Sequence, residues 1–140
     1  MEAVASASSI IAVVQVAGSV AKLCGGYILD VKDARRDIER LQQKTATLRD
    51  VVERLAEIGG QTKAKVISLP AHVMISVRQC LEDLQKLQDR LQPKARHKAM
   101  SKVGWRALKW PLSKNDVNEE VQRLESYVTI FNTALQLVHL

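Results

Sequence analysis

Apolar positions recur along most of the chain at alternating spacings of three and four, the period of a helix that buries one face. One run is Val31, Ala34, Ile38, Leu41, Thr45, Leu48, Val52 and Leu55. Asp30 precedes it as an N-cap, with Asp33 three residues on, and Gly59-Gly60 follow as its stop. A second run is Val73, Val77, Cys80, Leu84, Leu87 and Leu91; its helix is expected to start at Ser68-Leu69-Pro70, with Pro70 in the first turn, and to end at Pro93. A third is Val117, Val121, Leu124, Val128, Phe131, Leu135 and Val138. It opens at Ser113 with Asp116 three residues later, in the manner of a capping box. The N-terminal stretch differs. From Ala3 to about Leu23 it is apolar on most of its circumference, and Gly25-Gly26 loosen its end. No stretch shows the strict alternation of a strand.

Three helices with one apolar stripe each, plus a fourth that is apolar nearly all round, predict an all-α four-helix bundle with left-handed 3-4 packing. The first helix is expected as the central or covering member. Breaks at 59–60 and 93 favour folding back over an extended coiled coil. The 140 residues suit a single domain, 1–140, that buries roughly two thirds of its unfolded surface. The last stripe is still running at Leu140, as expected of the N-terminal part of a larger protein. Aromatic residues make up only 4%, so the core is expected to be aliphatic. Cys24 and Cys80 form no disulfide framework and read as small buried hydrophobes in a reducing compartment.

Charge changes this picture locally. The chain carries a net charge of +6, yet Lys94, Arg96, Lys98, Lys102, Arg106, Lys109 and Lys114 are seven bases with no acid among them. The predicted element here is an additional short basic helix or loop between the third and fourth long helices. If helical, Lys94, Lys98, Lys102 and Arg106 share one side and Met100, Val103, Ala107 and Trp110 the other, with Trp105 at the margin. That is the pattern of an interfacial helix on anionic lipid, and equally of a lid on the bundle. Nucleic-acid phosphates attract the same charges, but no base-reading motif accompanies them and nucleic acid is disfavoured.

The first helix has a second distinctive property. Ala3 to Ala21 is uncharged for 19 residues, about 28 Å of helix, close to the thickness of a bilayer core. Glu2 stands where a secretory signal would want bases, and Ser6, Ser8, Ser9, Gln15, Gly18 and Ser19 dilute the run. Neither a signal peptide nor a constitutive span is predicted. Small residues four apart (Ala5 with Ser9, Ser8 with Ala12, Ala17 with Ala21) suit close helix–helix contact.

Chemistry is sparse. His72, His97 and His139 fall on different elements without a carboxylate or cysteine at metal-ligand spacing. Neither Gly25-Gly26 nor Gly59-Gly60 has the context of a phosphate loop. Glu82-Asp83 and Glu119-Glu120 read as solvated surface pairs. No Ser, Cys or Thr has an evident base beside it. No metal, cofactor or catalysis is expected.

The residues Ala5-Ser6-Ala7-Ser8-Ser9-Ile10-Ile11-Ala12-Val13-Val14-Gln15 and Tyr27-Ile28-Leu29-Asp30-Val31-Lys32-Asp33-Ala34 resemble the start of the fungal HeLo-like N-terminal domains. Leu108-Lys109-Trp110-Pro111-Leu112-Ser113-Lys114 and Thr133-Ala134-Leu135-Gln136-Leu137 are similar to the last helix of that family. The likeness covers essentially the whole chain. It implies a bundle like the executioner bundle of mixed-lineage kinase-like proteins, placed ahead of the nucleotide-binding module of a fungal NOD-like receptor. It also implies programmed cell death and heterokaryon incompatibility as the setting, with oligomerisation and plasma-membrane permeabilisation as the activity.

The leading expectation is therefore a membrane-targeting cell-death effector, cytoplasmic at rest and at the plasma membrane on activation. Val4, Ile10, Ile11, Val13, Val14 and Val16 would enter lipid. Lys94, Arg96, Lys98, Lys102, Arg106 and Lys109 would hold anionic headgroups, with Trp105 and Trp110 as interfacial or lid aromatics. Its partners would be anionic lipids, other copies of the chain and a nucleotide-binding receptor module. The competing expectation is a homotypic adaptor bundle that never enters lipid.

Overall fold

A computed structural model describes residues 2–30, 34–61, 69–92 and 110–138. Side chains are described for 8–29, 34–57, 69–92 and 110–137. Among the described residues there are four helices and no strand: α1 Glu2–Asp30, α2 Arg35–Gln61, α3 Ala71–Leu91 and α4 Lys114–Val138. The segment expected to hold a short basic helix or loop, 93–109, lies outside them.

The striped helices bury the faces that their spacing predicts. In α2, Ile38, Leu41, Thr45, Leu48, Val52 and Leu55 are all buried. Thr45 meets its polar requirement within the helix, donating its hydroxyl to the Leu41 carbonyl at 2.7 Å. In α3 the buried set is Val73, Val77, Cys80, Leu84, Leu87 and Leu91. In α4 it includes Val117, Val121, Leu124, Phe131 and Leu135, with Val128 half-buried. Both cysteine thiols are free and buried, and burial pushes each up to about 12, so neither is a thiolate at physiological pH.

Helix ends differ from expectation in four places. Asp30 is the last residue of α1, not the N-cap of α2. α1 runs through Gly25-Gly26, and α2 runs through Gly59-Gly60 to Gln61. Glycine weakens a helix by about 1 kcal/mol relative to alanine, which handicaps the helix without breaking it. At Gly25 packing favours the small residue, since a Cβ there would lie 3.3 Å from Gln42 Nε2 of α2. Pro70 occupies the N-cap of α3, one position outside the helix, where its carbonyl accepts from the Val73 and Met74 amides. The capping box of α4 is present in both directions. The Asp116 amide donates to Ser113 Oγ at 3.0 Å, and the Ser113 amide donates to the Asp116 carboxylate at 3.1 Å.

Cross-helix contacts define the topology. Gly18 and Gly25 of α1 lie against Arg49 and Gln42 of α2, so these two helices are antiparallel. Ser19 and Tyr27 reach Gln88 and Leu91, which sets α3 parallel to α1. Arg90–Asp116 and Asp83–Tyr127 set α4 antiparallel to α3, while Arg40–Asn118 and Lys44–Glu125 set it parallel to α2. The result is two antiparallel hairpins side by side: α1 packs on α2 and α3, α4 packs on the same two, and α1 and α4 occupy opposite corners. The C-termini of α1 and α3 and the N-termini of α2 and α4 share one end of the bundle, its upper end.

α1 is thus one corner of a square, neither central to the bundle nor a cover over it. It buries a single stripe of Ile10, Val13, Ala17, Val20, Cys24 and Tyr27. Its outer side carries Ser8, Ile11, Gln15, Lys22, Gly26 and Leu29, all exposed. The polar and small residues among these explain why that side needs no partner helix.

Phe131 is fully buried, so Phe131→Ala is expected to destabilise the bundle by about 3–5 kcal/mol. Ser113→Ala, which removes half the capping box, should cost about 1 kcal/mol. Exposed Gln136→Ala should stay within about 0.5 kcal/mol of the parent. Urea unfolding measures all three.

Candidate functional site

The feature singled out by its lack of charge is α1, and the structure shows how it is held. Val13, Ala17, Val20 and Cys24 have no solvent exposure. Around that stripe, side-chain hydrogen bonds fasten the helix. Gln42 Nε2 of α2 donates to the Ala21 carbonyl at 3.1 Å, and Gln88 Nε2 of α3 donates to Ser19 Oγ at 2.7 Å. At the upper end the Tyr27 hydroxyl donates to the Leu91 carbonyl at 2.6 Å. Burial lifts the Tyr27 hydroxyl above its ordinary value of 10.0, and the neighbouring Cys24 adds to that, so it remains a donor at physiological pH. Among the described residues no ion pair joins α1 to the other helices.

The six residues expected to enter lipid are divided among three environments. Ile10 and Val13 belong to the core. Val14 and Val16 are partly buried and pack against it. Ile11 is 54% exposed. Val4 lies on α1, with its side chain outside the described residues. These positions therefore do not share one exposed apolar face in this conformation, and presenting Ile10 and Val13 to lipid requires α1 to leave the bundle.

Lys94, Arg96, Lys98, Lys102, Trp105, Arg106 and Lys109 lie outside the described residues. The positions on either side of that stretch are described. Leu91 and Trp110 are both at the upper end, and both touch Tyr27. The Trp110 ring meets Tyr27 edge to face, with centroids 5.1 Å apart and an interplanar angle of 79°. Trp110 packs against the core, and its Nε1 has no hydrogen-bond partner among the described residues.

Between α3 and α4 lies a polar seam that corrects the reading of Glu119-Glu120 and Glu82-Asp83 as solvated pairs: Glu82 and Glu119 are exposed, but Asp83 and Glu120 are not. Glu120 is buried at 7% exposure, and Asp83 is half-buried. Arg123 lies 2.8 Å from Glu120 Oε1 and 3.9 Å from Asp83 Oδ2. The Tyr127 hydroxyl donates to Asp83, and Tyr127 stacks with Phe131. Burial holds the Glu120 carboxyl above its usual range, with Arg123 and Arg90 opposing and Asp83 reinforcing the shift. Burial, and then the bond to Asp83, raises the Tyr127 hydroxyl. The signal that could have found the seam is spacing. Glu120 stands three after Val117 and four before Leu124, on the buried stripe itself, and Tyr127 stands three after Leu124 and four before Phe131.

Among the described residues no His, Cys, Asp and Glu group could hold a metal ion. The seam pairs its acids with Arg123 and Arg90 and presents no evident nucleophile. The features with the most to offer a partner are α1 and the fastening at its upper end.

Glu120 supplies a pH signature. Its folded pKa stands above the ordinary 4.5, so between the two values the folded state binds a proton that the unfolded state releases. The stability this group contributes is full below about pH 4.5 and is lost as pH rises through the raised folded value. Glu120→Gln is expected to unfold at higher urea than the parent at neutral pH, with the gap closing below about pH 4.5. Asp116 works in the opposite sense: its carboxyl is depressed below 3.8, first by the Ser113 amide and then by the Ser113 hydroxyl. Both proteins keep Asp116, so their difference isolates Glu120.

A family model described as pigment biosynthesis cluster protein PigL N-terminal matches residues 1–140, the full length of the chain. No curated protein and no solved structure matches it.

Proposed function

The chain belongs to the PigL N-terminal family, named for the N-terminal part of a protein, and from that premise we propose that it is a membrane-targeting, self-associating effector domain that permeabilises a membrane through α1. One observation carries this reading. Ser8–Leu29 of α1 is a 22-residue stretch of mean hydropathy 1.5, of which only 28% is buried in the bundle. Twenty-two residues make about 33 Å of helix, against about 30 Å of hydrocarbon. Its single charge, Lys22, has a stem long enough to reach an interface.

The manner of attachment supports the same reading. α1 sits at one corner, without an ion pair to its neighbours among the described residues, so its departure separates no buried charges. Departure exposes the stripe from Ile10 to Tyr27, which is costly in water and favourable in lipid. Lys94, Arg96, Lys98, Lys102, Arg106 and Lys109 then hold anionic headgroups near the upper end. Trp105 and Trp110 supply interfacial aromatic surface. Clustering by a receptor module attached to the domain is the trigger, and membrane rupture in programmed cell death is the outcome. The likeness to HeLo-like domains of fungal NOD-like receptors supports this finer assignment.

Vesicle leakage tests it. The domain, clustered by a fused oligomeriser, is expected to release dye from anionic vesicles and to leave neutral ones sealed. Ile11 is exposed, so Ile11→Glu is expected to leave the bundle intact; it lies near one end of the 22-residue stretch, where an acid costs less than the ~2.5–3.5 kcal/mol of the bilayer centre, and a cost of about 1.4 kcal/mol lowers leakage about tenfold. Anionic vesicles that stay sealed while the clustered domain still captures a partner would sink the effector reading in favour of the adaptor.

A further inference from the structure

Tyr27 stands where the two flanks of the basic stretch come together. Leu91 is the last residue of α3, and the chain is described again from Trp110. Six of the seven bases of the stretch lie between these two residues in sequence. One buried side chain near the C-terminus of α1 touches both: its hydroxyl donates to the Leu91 carbonyl at 2.6 Å, and its ring packs on Trp110 at 5.1 Å. The Leu91 carbonyl belongs to the last turn of α3, where backbone carbonyls have no intrahelical donor. Tyr27 supplies that donor from another helix. The contact is cooperative by construction. Movement of Leu91 orphans both a buried carbonyl and a buried hydroxyl, and movement of Trp110 uncovers the ring that places the hydroxyl.

We infer that Tyr27 is a latch: α1 is held at its upper end by the two residues that flank the basic stretch, so displacement of either flank loosens that end of α1 and leaves its hold to the buried stripe below. Such an arrangement is a two-state element that a ligand can bias. Headgroups that engage the bases between Leu91 and Trp110 in the sequence act on the chain through those two flanking residues. Both touch the same tyrosine. Two other fastenings of α1, Gln42 to Ala21 and Gln88 to Ser19, lie lower on the helix. The latch gives the proposed effector its control, and for that purpose it rests on the membrane reading. Its test does not.

The test is hydrogen exchange on the whole domain in solution, with Tyr27→Phe, Trp110→Leu and the double variant. Tyr27→Phe keeps the ring and removes only the bond to Leu91. Each single variant is expected to speed exchange of the α1 amides about three- to tenfold, with α2 and α4 amides unchanged as the internal check on folding. In the double variant the effects should fall well short of their product, as for two parts of one contact. Independent, multiplicative effects overturn the latch, and so does equal acceleration in all four helices, which would make Tyr27 an ordinary core residue. A second arm adds phosphatidylserine vesicles to the parent domain. Faster α1 exchange on binding, abolished by Lys98→Glu with Lys102→Glu, supports transmission through the flanks. Binding and leakage with α1 exchange unchanged at its upper end overturn the latch and leave the effector reading standing. Absence of binding sinks the effector reading, while the solution variants still decide the latch.

Discussion

Burial of the Val13, Ala17, Val20 and Cys24 ridge between α2 and α3 is the interaction on which the architecture depends. α2 and α3 face each other across a diagonal of the square. They are brought together by the helices at the other two corners, α1 on one side and α4 on the other. Taking α1 away would remove one of two shared walls and leave a three-helix remnant joined through α4. α1 is therefore required for the closed bundle, and the proposed effector mechanism would open that bundle at one corner. Its hold is almost wholly apolar, and apolar surface has an alternative home in a bilayer that a buried ion pair lacks.

The two corners are built from different chemistry. α4 is tied to its neighbours by charge: Lys44–Glu125 and the hydrogen bond of Arg40 to Asn118 on the α2 side, Arg90–Asp116 and the Arg123, Asp83 and Glu120 seam on the α3 side. Surface pairs of this kind contribute ~0–1 kcal/mol each, but the half-buried seam fixes register, because Asp83 of α3 meets Tyr127 and Arg123 of α4 in one alignment only, whereas the Glu120–Arg123 pair lies within α4. α1 has small residues where α4 has charges. Gly18 and Gly25 let Arg49 and Gln42 lie across it. One diagonal of the square thus joins a helix that is pinned to a helix that is packed.

Much of this is legible from spacing alone. The faces of α2, α3 and α4 follow from runs at three and four, because an aliphatic stripe has no other way to be buried on a helix. The capping box at Ser113 and Asp116 is readable for the same local reason. The helix boundary at Gly25 is not, because that glycine answers to the approach of Gln42, a contact 17 residues away in sequence. Glu120 and Tyr127 have stripe spacing, yet a polar residue on a stripe reads as surface until the packing around it, and for Tyr127 its partner Asp83 on α3, is known. The position of α1 is not legible either. An evenly apolar helix fits a centre, a cover or a corner, and only cross-chain contacts such as Ser19 with Gln88 decide among them. Likewise, nothing local marks Tyr27 as the meeting point of Leu91 and Trp110.

The hairpin arrangement also sorts charge along the long axis. The lower half of α1, the start of α3 and the close of α4 share one end, and in sequence 3–21, 66–77 and 126–140 hold no Asp, Glu, Lys or Arg. The basic stretch is tethered at the opposite end, between Leu91 and Trp110. Both described ends of that stretch lie at the upper end, and α2 brings Arg49, Asp50, Glu53, Arg54 and Glu57, which nearly cancel, to the lower half, so the excess of bases is attached to one end of a bundle longer than the screening length of physiological salt. A particle of that kind does not tumble freely as it nears a negatively charged surface. The field turns it so that the cationic pole leads and the neutral pole trails. Orientation is then settled in the encounter, before any helix moves, and salt would lower the rate of arrival as well as weaken the final contact.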